Sequence, residues 1–306
     1  AQTARRVVAV TERLTRVSRL GDPEATVCYQ SNQSSKSEVC LFANLLRETQ
    51  RMVDVSLIGC GHLGSAVLRG LARAGDHTVT ACDVSEEALV AVEDLVDRTT
   101  TDLEVAAESE IVILAVKPDT VGAVLGDLHL SPAQTLLSFA AAVPTDFLEA
   151  RTEATVIRGM PNLAAETGEM ACAVTPAATP AVATLLDDLG SFVEIEEAQM
   201  DVATAVNGSG PAFVFYLIKA LSDAGIERGL EPADARTLAA QTFKGAAETV
   251  LRSDQDLDSL IDAVSSEGGT TIEGMEVLWN SSVDDDLAAA VGAAEERSTE
   301  ITEEFD

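Results

Sequence analysis

Val53-Asp54-Val55-Ser56-Leu57-Ile58-Gly59-Cys60-Gly61-His62-Leu63-Gly64 is a short apolar run that ends in three glycines spaced G-x-G-x-x-G. The run has the composition of a buried strand, and the glycines form its exit turn. Downstream, Ser65-Ala66-Val67-Leu68-Arg69-Gly70-Leu71-Ala72-Arg73-Ala74-Gly75 places apolar residues at helical spacing and ends on a glycine suited to a C-cap. Gly59 permits a tight turn, Gly61 leaves no side chain in the path of a pyrophosphate, and Gly64 lets the helix pack close to the strand. The helix N-terminus then offers unpaired N–H groups and a partial positive charge to phosphates. A bare glycine pattern is equally that of a plain turn. Between a strand and a helix it points to a bound dinucleotide.

At 306 residues the chain has material for two domains. Its formal charge of -31 comes from 51 acidic against 20 basic residues, a surface that repels nucleic acid and anionic membrane. Acidic and apolar residues are interleaved, and 46% of the chain is hydrophobic, so the charge belongs to a folded surface. Strong salt screens the self-repulsion of such a surface, which suits a protein adapted to a high-salt cytoplasm. The five cysteines, Cys28, Cys40, Cys60, Cys82 and Cys172, are scattered without C-x-x-C spacing and read as free thiols of a reducing compartment. His62, His77 and His129 form no metal-binding pattern, and no metal is expected. With no run of membrane-spanning length, a soluble cytoplasmic protein is expected.

Residues 1–51 stand apart. They hold eight basic and five acidic residues, which leaves 12 basic and 46 acidic from Met52 onward. A Ser/Gln-rich stretch runs from Gln30 to Ser37, and Met52 directly precedes the first strand. The expectation is a non-native or disordered extension ahead of a start at Met52, then a dinucleotide-binding domain over 52–197 and a helical domain over 198–306.

From Met52 strand and helix signals alternate. Val79 to Cys82 is a strand that ends at Asp83, and Ser85 caps the helix after it. Asp83 stands where an acid can accept hydrogen bonds from the adenosine ribose and repel a 2′-phosphate, which favours NADH and leaves NADPH possible. Ile111 to Val116 has the continuous apolar character of a central parallel strand, ending at Lys117-Pro118. Further strands are expected at 135–140, 155–160, 171–174 and 192–195, with a helix at 181–189. Together these make an α/β, doubly wound, Rossmann-type parallel sheet. Beyond residue 198 only helical periods remain, at 202–206, 211–228, 232–251, 272–279 and 284–302, with a break expected at Asn207-Gly208-Ser209-Gly210. The run Ser265-Ser266-Glu267-Gly268-Gly269-Thr270-Thr271 leads into a helix and forms a second anion cradle, suited to a carboxylate.

The stretch Asp262-Ala263-Val264-Ser265-Ser266-Glu267-Gly268-Gly269-Thr270-Thr271-Ile272-Glu273-Gly274 resembles the signature of the Δ1-pyrroline-5-carboxylate reductase family. Four more blocks match in order: Ile58 to Gly64, Ala115-Val116-Lys117-Pro118, Val156 to Asn162, and Gly208-Ser209-Gly210-Pro211-Ala212-Phe213. The resemblance implies hydride transfer from a reduced nicotinamide to the C=N bond of pyrroline-5-carboxylate, giving proline. It places the cofactor against Ile58, Gly59, Cys60, Gly61, His62, Leu63 and Gly64, against Asp83, against Ala115, Val116, Lys117 and Pro118, and against Phe139, Ala140 and Ala141. It places the substrate against Ser266, Gly268, Gly269, Thr270 and Thr271, with Glu197 as a substrate-contacting acid and Thr204 facing the same pocket. Thr271 and Thr204 carry what side-chain catalysis there is. The resemblance also implies an all-α dimerisation and substrate domain, and a homodimer or a ring of dimers.

Some positions depart from the family. Glu267 replaces a proline, Ala142 a glycine in an A-A-G stretch, and Ala263 an asparagine. Two other readings stay open. One is a β-hydroxyacid dehydrogenase-like reductase, for which Lys219 and Lys244 are the only candidate catalytic lysines, neither in the expected motif. The other is a non-catalytic nucleotide-binding regulator, which has no need of the carboxylate cradle.

Overall fold

A computed structural model describes residues 52–305, so the expectations for residues 1–51 lie outside the described residues. β1 (Asp54–Ile58) and α1 (His62–Ala74) flank the glycine turn. β2 (Thr78–Cys82), α2 (Glu86–Val90), β3 (Arg98–Thr100), α3 (Leu103–Ala106) and β4 (Ile111–Leu114) complete the first half of a sheet. α4 (Pro118–Asp127), β5 (Thr135–Ser138), α5 (Thr145–Glu149) and β6 (Thr155–Pro161) extend it. β7 (Met170–Thr175), α6 (Pro180–Leu189) and β8 (Gly190–Glu194) finish it.

The strand order is β3-β2-β1-β4-β5-β6-β7-β8, and it reverses between β1 and β4. Strands β1 to β6 are parallel neighbours, whereas β7 runs antiparallel to β6 and β8 follows β7 in parallel. The doubly wound parallel sheet expected from the sequence is present in β1 to β6, and the sheet becomes mixed at its β7 end. The turn from Asn162 to Glu169 is too short for a crossover helix, so β7 returns beside β6 as a hairpin arm.

Alternation along the strands sends side chains to two cores. Val55, Leu57, Ile111 and Ile113 pack toward α1 and α6, and Ile58, Val112, Leu114 and Val156 pack toward α4 and α5. Burial on both faces explains why Ile111 to Leu114 reads as an unbroken apolar run.

After Glu194 the chain is helical: α7 (Met200–Ala203), α8 (Gly210–Glu227), α9 (Pro232–Arg252), α10 (Leu257–Val264), α11 (Thr270–Trp279) and α12 (Val283–Thr302). The break expected at Asn207 to Gly210 is a π-helical turn, Thr204–Gly208, closed by Ser209 N–H donating to the Thr204 carbonyl at 3.0 Å. The path from α7 to α8 thus stays helical. Asn207 gives the reason: its amide reaches out of the turn to donate to the carbonyls of Met160 (2.7 Å) and Ala171 (3.0 Å) on the sheet. Helix α10 was not anticipated, although Asp256 caps it through the Ser259 N–H.

Helix α12 is fixed to α7 by one carboxylate. Asp201 accepts hydrogen bonds from Ser298 Oγ (2.7 Å), Thr302 Oγ1 (3.2 Å) and Thr299 Oγ1 (3.3 Å). Removing an acceptor leaves a buried hydroxyl unpaired, whereas removing one exposed donor does not. Asp201→Ala is therefore expected to lower the unfolding free energy by about 1–3 kcal/mol. Thr299→Val should change it by less than about 0.5 kcal/mol, both read from chemical denaturation curves.

Candidate active site

The parallel strands deliver four loops to one edge. Ile58 lies in register with Cys82 and Leu114, and Leu114 with Ser138. The glycine turn, Asp83, Ala115 to Pro118 and Phe139 to Ala141 therefore all leave the sheet at its C-terminal edge, around the β1/β4 reversal. Ligands of open α/β sheets bind at that place.

The glycines behave as their spacing predicts. Gly59 adopts φ 101°, and a Cβ on it would lie 2.6 Å from the Ala115 carbonyl oxygen, so the turn and the β4 loop touch backbone to backbone. A Cβ on Gly64 would overlap the Gly59 carbonyl. Gly61 has no atom within 4 Å of a Cβ position, and it is exposed. The first and third glycines are thus needed by the fold, and the second leaves open space beside the first turn of α1. Ser65 N–H already pairs with the Gly61 carbonyl, which leaves the earlier N–H groups of that turn facing the opening.

Asp83 follows β2 and stands beside the glycine turn. Its Oδ2 accepts from Cys60 N–H at 2.7 Å and its Oδ1 from Ser85 N–H at 2.8 Å. The carboxylate thereby supports the glycine turn from the end of β2, while each oxygen keeps a free lone-pair direction for a hydroxyl. Cys60 lies in the same turn as a buried thiol. Burial, then the nearby Asp83 charge, pushes its pKa up to about 12, so it is a protonated packing group and no nucleophile. Cys82 is held up to about 11 by burial and the same carboxylate.

Lys117 is exposed and caps α4 by its backbone, with Pro118 at the first helical position. Phe139 is buried, and its ring occupies the space above Gly159, where a Cβ would come within 2.7 Å. Ala142 adopts φ 60°, in the left-handed region that favours glycine. A non-glycine residue held there costs about 1–2 kcal/mol.

Glu197, expected beside the substrate, has its carboxylate occupied by the protein. It accepts from Arg158 Nη1 at 2.6 Å, from Thr145 Oγ1 at 3.2 Å and from Thr145 N–H at 3.3 Å. Arg158 is buried on β6. The sequence reading gave no role to Arg158 or Thr145, and the signal available was a charged residue directly after the β-branched run Thr155 to Ile157. Thr204 donates its hydroxyl to the Met200 carbonyl at 2.7 Å and opens the π-turn.

The second cradle stands on α10 and α11. Gly268 has φ 72°, and Gly269 caps α11, donating its N–H to the Ser266 carbonyl at 3.0 Å. A Cβ on Gly269 would meet Ser266 Oγ at 2.7 Å. Thr270 and Thr271 form the first turn of α11 and are exposed, as is Glu267. Neither α10 nor α11 fully buries any residue, and Val264, Val277, Leu278 and Trp279 stand at least half exposed. Lys219 and Lys244 are both exposed, and Lys219 pairs with Asp223 one turn along α8. Among the described residues no group of three or more His, Cys, Asp or Glu is placed to hold a metal ion, and no helix is long and apolar enough to cross a membrane.

Residues 54–142 match the family described as NADP oxidoreductase, coenzyme F420-dependent, and residues 197–301 match pyrroline-5-carboxylate reductase dimerisation. The chain is 38% identical over 262 residues to the pyrroline-5-carboxylate reductase of Methanosarcina acetivorans, covering 81% of this chain and 97% of that one. A crystal structure of Plasmodium falciparum pyrroline carboxylate reductase with NADP bound is similar at TM-score 0.69 and 29% identity, over 82% of this chain and 98% of that one. The Coxiella burnetii pyrroline-5-carboxylate reductase structure gives TM-score 0.75 at 26% identity, over 82% and 99%. With 38% identity over 97% of a curated relative's length, this chain belongs to the pyrroline-5-carboxylate reductase family.

Proposed function

We propose that this chain reduces 1-pyrroline-5-carboxylate to L-proline with a reduced nicotinamide dinucleotide. The observation that carries the reading is the juxtaposition at the sheet edge: a glycine turn open at Gly61, an acid at the end of β2, and two further loops converging on the same reversal. Gly59 to Gly64 and the first turn of α1 would hold the pyrophosphate, Asp83 the adenosine ribose, and Ala115 to Pro118 with Phe139 to Ala141 the nicotinamide half. A nicotinamide bound there supplies the hydride.

The residues of the chain have little chemistry left to do. A protonated cyclic imine is already electrophilic, so orientation supplies much of the rate. Gly268, Gly269 and Thr270 at the N-terminus of α11 would take the substrate carboxylate, assisted by Ser266. Thr271 would hydrogen-bond the ring nitrogen, which keeps its proton as the adjacent carbon accepts hydride. We place Thr204 along the same pocket, and Lys117 on the cofactor side as a structural residue. Glu267 is exposed and so need not face the bound carboxylate. The domain division that goes with this reading is a dinucleotide-binding part to residue 197 and a helical substrate and dimerisation part beyond it. The uncovered apolar faces of α8, α10 and α11 support a homodimer, and a ring of dimers is the larger assembly proposed.

We infer a preference for NADH. The Asp83 carboxylate would stand near the 2′ position, where a phosphate would meet a like charge in addition to losing a hydroxyl partner. The relative from Plasmodium falciparum was solved with NADP bound, and the inferred preference for NADH rests on Asp83 of this chain alone. The net charge of -31 supports a working environment of molar salt, and the free thiols Cys60, Cys82 and Cys172 support the cytoplasm.

The full chain in molar salt is expected to oxidise NADH when given pyrroline-5-carboxylate, and absence of turnover with both NADH and NADPH would favour a regulatory role. Thr271→Ala should lower kcat/KM for the imine about ten- to a hundredfold while NADH affinity stays within about twofold. An unaffected variant would remove Thr271 from the substrate site. Asp83→Ser keeps an acceptor for Cys60 N–H but removes the charge, and should raise the NADPH to NADH activity ratio about tenfold. An unchanged ratio would reduce Asp83 to a support for the glycine turn.

A further inference from the structure

Residues 138 to 145 are enclosed in a ring of links. Ser138 at the end of β5 is in register with Arg158 on β6. Arg158 donates to Glu197 at 2.6 Å, and Glu197 accepts from both the backbone and the hydroxyl of Thr145. Thr145 is the first residue of α5, and the chain runs back from it through Pro144, Val143 and Ala142 to Phe139 and Ser138. Every residue from Ser138 to Pro144 except Ala141 is buried. Inside this closed loop sits Ala142 with φ 60°, a conformation that an alanine leaves unless its surroundings hold it. The Pro144 ring fixes one flank, and Phe139, seated over Gly159, fixes the other. The remaining freedom lies at Thr145, and Glu197 removes it.

We propose that Glu197 is a positioning residue of the cofactor site: with buried Arg158 behind it, it holds Thr145 and thereby keeps the strained Phe139 to Pro144 loop in the shape that receives the nicotinamide half. This rests on the reading of the sheet edge as the nicotinamide site. Glu197 acts through Thr145, so two different substitutions must give one phenotype. A charged group buried on one strand, a strained residue in the adjacent loop and an acid from the start of the helical part are each explained by that single link. The half-exposed Glu197 side chain gains its hold from Arg158, whose own side chain is 4% exposed, because a charge-assisted hydrogen bond shielded from water is stronger than one at the surface.

The test uses the full chain with Glu197→Gln, Thr145→Val and the double variant. It measures the Kd of NADH by fluorescence titration, the KM of pyrroline-5-carboxylate and kcat. Glu197→Gln should weaken NADH binding about tenfold and Thr145→Val, which keeps the backbone N–H link to Glu197, about threefold, each with the imine KM within about twofold, and the double variant should be no worse than Glu197→Gln alone. A rise in imine KM with NADH binding unchanged would overturn the proposal and put Glu197 against the substrate. Additive losses in the double variant would overturn the path through Thr145. If Glu197→Gln fails to fold, Thr145→Val carries the test alone, since it keeps the Glu197 to Arg158 pair; normal NADH binding in it overturns the proposal. A wild-type chain that binds NADH separates these outcomes from failure of the nicotinamide reading itself.

Discussion

The backbone contact between Gly59 and Ala115 is the constraint on which the site depends. A side chain on Gly59 would force the β1 exit turn away from the end of β4, and one on Gly64 would push α1 off the same turn. Close approach at these two glycines sets α1 so that its N-terminus opens onto the β1/β4 reversal. Gly61, between them, is free of any steric demand from the fold, and its lack of a side chain finds a use only when a ligand lies against the turn. Two of the three glycines are therefore explained by packing alone, and the remaining one fits the binding proposed for the turn.

A second constraint joins the sheet to the helices. The block Arg158-Gly159-Met160 of β6 does this through three neighbouring positions. Arg158 pairs with Glu197, Gly159 makes room for Phe139, and the Met160 carbonyl receives the Asn207 amide while its methyl fills the space above Gly208. A π-turn at Thr204–Gly208 is the backbone form that lets Asn207 reach two sheet carbonyls without ending the helix. These residues fix where the Phe139 to Pro144 loop stands relative to the start of the helical part.

Much of this was legible in the chain because its information is local. The apolar run to Ile58 followed by glycines at 59, 61 and 64 carries strand, turn and helix within a dozen residues, and Gly268 to Thr271 carries its own helix start. Helix α10 was equally legible, since Leu257, Leu260, Ile261 and Val264 follow the helical period after a capping Asp256, but the eye goes to the glycines beyond it. Other features were not there to be read. Arg98–Thr100 is three residues with no alternation, and its strand character comes from pairing with β2. The reversed direction of β7 depends on which edge of β6 it meets. Asn207 finds its acceptors 47 and 36 residues away, and Glu197 finds Arg158 at 39, so neither role leaves a trace at its own position. Ala142 is intermediate: the departure from the family pattern was visible, but only the structure shows that the residue adopts a left-handed backbone.

If the sheet edge presents a reduced nicotinamide to the imine carbon of a pyrroline carboxylate, the transferred hydride can be traced. The most direct measurement follows the hydride itself, with NADH carrying deuterium at both C4 positions and pyrroline-5-carboxylate as acceptor in molar salt. Proline with a single deuterium on the ring carbon next to nitrogen and remote from the carboxylate is expected. Proline formed without deuterium, or none formed while NADH is bound, would contradict it.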